Sequence, residues 1–263
     1  MHMAAVLGLL VLATIANVWH EKAGIAVLAG GGRQATWAIT IILMAAALAI
    51  AGHSARKRWD GVFIDERNRI SLSRFQIILW TLLLVSALFT AGLTNIMGTA
   101  PSASPLAIDI PPEVWALLGL GSFTAVASPA LVKREEQHAF RSPASPDLLV
   151  GAVKHERNLT DPGVFVGRVY HNAAPADARW IDLIHGDLEG IRHVDIAKVQ
   201  QLAFTVLLVT IYAGGLWSVM GPTSGPFANI QRFPAVDAGF VALLGISHAA
   251  YLASKPVAGV AAP

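Results

Sequence analysis

Few side chains in this sequence stand where they could do chemistry inside a membrane. Six apolar stretches recur along the chain, and their middles carry no Asp, Glu, Lys or Arg. The ionisable group well inside one of them is His248, and an intramembrane ionisable residue points to function by default. It reads either as a specialised site or as a neutral imidazole hydrogen-bonded to a neighbouring helix. Gln76 and Gln200 lie about one turn inside their stretches, and Thr81 and Thr205 follow at matching positions. These four would line a pore mouth or tie helices together. Interhelical hydrogen bonds of that kind average under about 1 kcal/mol in membranes.

Outside the apolar stretches lie His138, His155, His171, His185 and His193. Their spacing is irregular, with no HxxxH or HExxH pair, so scattered surface histidines are expected and no metal site is assigned. Asp182, His185, Asp187 and Glu189 form a denser polar knot after Trp180. With Ile181, Leu183, Ile184 and Leu188 around it, the knot reads as an elbow on the membrane surface, with catalysis as the alternative. No Ser/His/Asp set has a recognisable spacing. Residues 30–32, a glycine triplet, lack the strand–helix context of a phosphate loop. The chain has no cysteine, which excludes thiolate nucleophiles and Cys-ligated zinc or iron–sulfur centres. No catalytic residue and no cofactor is assigned. Nothing invokes nucleic acid.

These residues must be positioned by membrane helices. Of 263 residues, 54% are hydrophobic and 14% charged, against about 25% charged in soluble domains. Mean hydropathy is +0.56. The expected spans are 3–19, 35–53, 73–94, 111–131, 197–218 and 236–254, each near the roughly 20 residues a bilayer needs. The fold class is therefore all-α integral membrane, six helices arranged as three hairpins with a small polar insert. Lys and Arg divide three against sixteen between the two sides. Without the interior of the long insert the ratio is still ten to three. By the positive-inside rule both termini and the insert are cytoplasmic. Arg56, Lys57, Arg58, Arg74 and Lys198 then face lipid headgroups. Trp59 and Trp180 mark the inner interface; Trp19, Trp37, Trp115 and Trp217 mark the outer one. Trp80 lies two turns inside a span and needs a partner for its indole N–H, so it should face protein.

The sequence also repeats. Residues 71–76, SLSRFQ, match residues 195–200, DIAKVQ, and the match continues through 81–85 and 205–209. Ser71 and Asp195 are both suitable N-caps. Residues 116–120 pair with 242–246, which sets Ser122 opposite His248. Both units enter from one side, a parallel repeat about an axis along the membrane normal. The units are 55–132 and 180–263, with an N-terminal hairpin over 1–54 and the insert over 133–179. The fourth and sixth spans are rich in Gly, Ala and Ser, which allow close helix approach in lipid. That face serves packing between the two hairpins or a homo-oligomer interface. In the insert, residues 148–153 and 164–170 are expected to form one or two strands.

Residues 59–61 (WDG), 64–68 (IDERN), 71–76 with Trp80 and Thr81, 182–190 (DLIHGDLEG), 195–200 and 243–247 (LLGIS) resemble a group of uncharacterised bacterial multi-pass membrane proteins. The resemblance covers about residues 55–255. It implies a bacterial source, hence the inner membrane, and transfers no site residues. The functional expectation is a non-enzymatic scaffold or accessory subunit, partnered by the bilayer and by itself or other membrane subunits. The alternative is a passive oligomeric channel lined by Gln76, Gln200, Thr81, Thr205, Ser122 and His248.

Overall fold

The computed structural model describes Gly8 and residues 32–97, 104–142, 144–159, 161–221 and 229–255. The expected first span over 3–19 lies outside these, Gly8 aside. From residue 32 onward the described residues hold six α-helices: α1 Gly32–Arg56, α2 Leu72–Met97, α3 Pro112–Glu135, α4 Pro146–Arg157, α5 Ile196–Val219 and α6 Ala238–Ser254. Four of them, α1, α2, α3 and α5, are long and apolar enough to cross a membrane. At 17 residues, α6 spans about 26 Å at 1.5 Å per residue, close to the roughly 30 Å of a hydrocarbon core.

Local chemistry sets the helix ends. Pro112 opens α3 with its fixed φ, Glu113 sits in the first turn, and Lys133 and Arg134 sit in the last, as the helix dipole favours. Asp195 caps α5, accepting from the N–H groups of Ala197 and Lys198. Asp237 caps α6 through the Gly239 N–H. Ser71 precedes α2 as expected, although its hydroxyl pairs with that of Ser73 at 3.1 Å.

The helix α2 is central. Half of its most apolar window is buried, against 22–28% for the other long helices. It packs against α1, α3 and α5, while α6 packs against α3 and α5. Helices α2, α3, α6 and α5 thus close a ring, with α1 leaning on α2. The core between them includes Trp80, Leu83, Leu84, Leu117, Leu208, Leu216, Phe233 and Leu244. Trp80 is buried and its ring stands 6.1 Å from that of Tyr212, so it faces protein as expected. Trp37 is buried too, donating to Ser86 Oγ at 2.9 Å, whereas Trp115 and Trp217 are exposed.

The insert differs from expectation in one segment. Residues 148–153 lie in α4, not in a strand. Ser145 accepts from the Leu148 N–H and Pro146 stands in the first turn, a start signal that overrides the β-branched valines. Residues 164–171 do form a hairpin, β1 Val164–Val166 and β2 Val169–His171, antiparallel with Phe165 opposite Tyr170.

Two loops share one construction. A 3-10 turn at Gly61–Phe63 leads to a single β-bridge between Ile64 and Ile70, and then α2 begins. A 3-10 turn at Trp180–Leu183 leads to a bridge between His185 and Val194, and then α5 begins. The first loop is pressed onto α1. A Cβ on Gly52 would stand 2.7 Å from the Val62 nitrogen, and one on Gly61 would stand 2.4 Å from the Gly52 oxygen. Backbone here meets backbone, so neither side can yield. Gly52→Ala should destabilise the chain by about 1–3 kcal/mol, the usual range for overpacking. Gly119→Ala, with nothing within 4 Å of the added carbon, should not. Thermal unfolding of both variants in one detergent checks the contrast.

Candidate functional site

The two bridged loops carry most of the buried charge, and they meet at one end of the helix ring. In the first loop, Asp65 accepts from the Arg67 guanidinium at 2.6 and 2.9 Å. Arg67 and Arg69 then reach across to the second loop. Their Nη1 atoms stand 2.9 and 3.2 Å from Asp187 Oδ1. Lys198, in the first turn of α5, places Nζ 2.9 Å from the same oxygen. Lys255, the residue after α6, pairs with Asp187 Oδ2 and lies 4.6 Å from the centre of the Tyr251 ring. Four cations from three parts of the chain therefore share one carboxylate.

Asp182 is a second anchor. Its Oδ1 accepts from Arg157 at 2.6 Å and from Arg69 at 3.3 Å. Its Oδ2 accepts from the backbone N–H groups of Arg179 and Ile70. Nearby, Arg168 Nη1 stands 2.7 Å from Glu135 Oε2 and its Nε 3.6 Å from Glu189. Side chains of Arg69, Asp182, Asp187, Lys198 and Lys255 are at most 4% exposed. Polar charges this deep survive only when paired.

Burial alone would raise the Asp187 carboxyl. Arg67, Lys198, Lys255 and Arg69 outweigh it and hold the group well below the usual carboxylate range. Burial likewise opposes charge on Lys255, yet Asp187 keeps that ammonium above its ordinary value. Asp65 and Asp182 are both held low by their arginines against the penalty of burial. A carboxylate held this low and met by four donors does not serve as a general base near neutral pH, and arginine does not release its proton. The cluster positions segments; it does not move protons at its carboxylates. Among the described residues, no group of three His, Cys, Asp or Glu could hold a metal ion.

Just inside the ring lies a seam of neutral polar groups. Gln76 Nε2 donates to Thr205 Oγ1 at 2.6 Å, and Gln201 Nε2 donates to Gln76 Oε1 at 3.3 Å. Ser247 Oγ donates to Gln201 Oε1 at 3.3 Å. His248 Nδ1 pairs with Thr124 Oγ1, and Ser128 pairs with Tyr251 across α3 and α6. All four ring helices contribute.

The expected site residues divide. Gln76, Thr205 and His248 are in the seam. Gln200, Thr81 and Ser122 are exposed, and Gln201 and Thr124 hold the inward positions instead. The reason is register. The buried positions on α5 are Lys198, Gln201, Thr205, Leu208, Tyr212 and Leu216. On α2 the corresponding buried positions are Ser73, Gln76, Trp80, Leu83, Ala87 and Ala91. Each pair is one residue out of step with the sequence match, and one residue turns a helix by about 100°.

Of the residues expected at lipid headgroups, Lys57 is exposed. Arg56 donates to Asn68 Oδ1 and the Asp65 carbonyl. Arg58 pairs with Asp60 and donates to the carbonyls of Ala176 and Ala178. Arg74 donates to the Ile64 carbonyl at 2.8 Å, and Lys198 is in the buried cluster. Trp59 is 63% exposed and stacks on His53 at 4.5 Å. Trp180 is partly exposed beside Phe63 and Phe75. No spacing in the sequence marks Arg67, Arg69, Arg157 or Lys255 as members of this cluster.

Compared with known protein families, curated proteins and solved structures, the chain matches none of them.

Asp187→Asn keeps the shape and removes the charge that four cations share. It should cost about 3–5 kcal/mol, the range for breaking a buried pair. Asp109→Asn removes a partner of Arg232 in a pair that is 59–71% exposed and should cost at most about 1 kcal/mol. Gln201→Leu should destabilise while Gln200→Leu should not. Melting temperatures of the four variants in one detergent decide both contrasts.

Proposed function

We propose that this chain is a non-enzymatic, membrane-embedded scaffold or accessory subunit, acting in a homo-oligomer or a larger membrane complex. The observation that carries the reading is how the buried polar groups are engaged. The cations and carboxylates at the polar end bind each other across loops and helix ends. The seam above them joins helix to helix. Above the seam the core turns apolar, with Leu83, Leu84, Leu117, Leu208 and Leu244 in one cluster. That layer argues against an aqueous path through a single ring, so the channel alternative would place its pore between copies.

The outward faces of α3 and α6 support assembly. Gly121, Ser128 and Ser247 are buried, Ser128 bonded to Tyr251 on α6 and Ser247 to Gln201 on α5, whereas Gly119, Ser122, Ala249, Ala250 and Ala253 are exposed. The small residues thus serve packing within the chain and leave a second set free for a neighbour. We place the protein in a bacterial inner membrane, with the ion cluster and the termini cytoplasmic. The uneven Lys and Arg distribution supports that orientation. We also read the two bridged loops and the helix pairs they lead into as products of duplication. Their shared order of turn, bridge, outgoing helix and returning helix supports it.

Native mass spectrometry from membrane nanodiscs should give a homo-oligomer or a stoichiometric complex, and Gly119→Leu with Ala249→Leu should shift a homo-oligomer toward monomer. Recovery of monomer alone from wild-type membranes would overturn the scaffold reading. Discrete conductance in planar bilayers would favour the channel, and the expected result is silence.

A further inference from the structure

His185 sits at the junction of the insert with the ion cluster, and its ring is used in an unusual way. Arg157, the last residue of α4, places Nη2 2.9 Å from His185 Nδ1 and Nη1 2.6 Å from Asp182 Oδ1. A guanidinium has only donors. A contact this short therefore needs a lone pair on Nδ1, which puts the ring proton on Nε2. The Ile191 carbonyl, 3.2 Å from Nδ1, is also 3.4 Å from Arg157 Nη2 and accepts its hydrogen bond from the guanidinium. The backbone of the same histidine is fixed: its carbonyl accepts from Lys198 Nζ at 2.6 Å, and it bridges to Val194.

We propose that the Arg157–His185 contact is an acid-sensitive latch, which holds the insert helix α4 on the ion cluster and lets it go when His185 takes a second proton. Protonation places an N–H on Nδ1 against an N–H of Arg157 and sets two cations in contact. The charged groups around the ring are Arg157 and Glu156 on α4, Arg69 on the first loop, Asp182 on the 3-10 turn and Lys198 on α5. Burial, then Arg157 and Arg69, hold the imidazole below its ordinary value, with Asp182 and the Ile191 carbonyl acting the other way. The closed form thus binds fewer protons than the open one. Its stabilisation is complete above about pH 6.5 and is lost as pH falls through the lower value of the closed state.

The opening is local. Asp182 keeps Arg69 when Arg157 leaves, and Asp187 keeps all four of its cations. α4 is still held by the small core around Val153, the Arg179 contact to the Asn158 carbonyl and the exposed Glu156–Arg192 pair. The latch is independent of the scaffold reading.

Hydrogen exchange of the full chain in nanodiscs at pH 7.5 and 5.0, corrected for intrinsic rates, tests it. Residues 146–159 should lose protection at pH 5.0 while α2 and α5 keep theirs. His185→Asn retains an acceptor near the Nδ1 position and does not titrate, so α4 should stay protected at both values. His171→Gln removes a histidine that pairs with a carboxylate, Glu136, and should leave the step in place. Exchange of α4 that is independent of pH, or a step that survives in His185→Asn, would overturn the latch. Imidazole nitrogen shifts of the wild type give a test that needs no variant. A bare Nδ1 at neutral pH is expected, and a protonated one refutes the proposal.

Discussion

One carboxylate decides how the polar end of this molecule is built. Arg67, Arg69 and Lys198 meet Asp187 on one oxygen and Lys255 meets it on the other. Those four residues belong to the loop before α2, the first turn of α5 and the residue after α6. Fixing them at one point fixes where three helices begin or end. A buried pair of this kind adds little net stability over an apolar replacement, because desolvation offsets the attraction. Its effect is on alternatives. A loop shifted by one residue would leave a charge buried without its partner, and such states are costly. The cluster therefore acts on register more than on total stability.

The seam depends on that register. Lys198 is one turn before Gln201 and two turns before Thr205, all on the buried face of α5. Once Asp187 holds Lys198, Gln201 must face Gln76, and Thr205 must face the Gln76 amide. On α6, Lys255, Tyr251, His248 and Ser247 follow the same logic back from the helix end toward α3 and α5. Ionic contacts at the end and neutral contacts inside are thus one system. The charged part stays where the chain leaves the apolar layer. The neutral part, whose desolvation is far cheaper, continues into it.

Much of this was legible in the sequence, and what was not has a physical cause. Hydropathy alone located α1, α2, α3 and α5 to within a few residues, because membrane helices need long charge-poor runs. The polar knot at Asp182, His185, Asp187 and Glu189 stood out by composition, and it does form the second loop of the cluster. Its partners did not stand out, since no spacing links Arg69 to Asp187 or Lys255 to a loop far upstream. Such contacts belong to tertiary structure. The headgroup assignment follows from charge near a membrane interface, but arginine has five donors, and here Arg56 and Arg74 use them on carbonyls of the first bridged loop and Arg58 on a carbonyl of the segment before the second. Over 148–153 the apolar composition favours a strand, but Ser145 and Pro146 start a helix there.

The repeat gives a sharper lesson. Matching letters aligned Gln76 with Gln200, while burial aligns Gln76 with Gln201. Identity along a helix says nothing about which way a side chain points, and a one-residue slip moves a residue from the core to the lipid. In the burial register, Lys198 stands opposite Ser73. On the returning helices, Leu244, His248, Tyr251 and Lys255 stand opposite Leu117, Gly121, Thr124 and Ser128. The first-half member of each such pair is neutral, and Lys198, His248 and Lys255 all come from the second half. The two matched stretches therefore differ in charge at their buried positions. The second half supplies the lysines and Asp187, and the first half contributes Arg67 and Arg69 from its bridged loop. In the first half Asp65 stands against both Arg67 and Arg69, so one guanidinium finds its counter-charge only across the loops. The clasp between the loops completes that pairing and ties the two helical hairpins to each other.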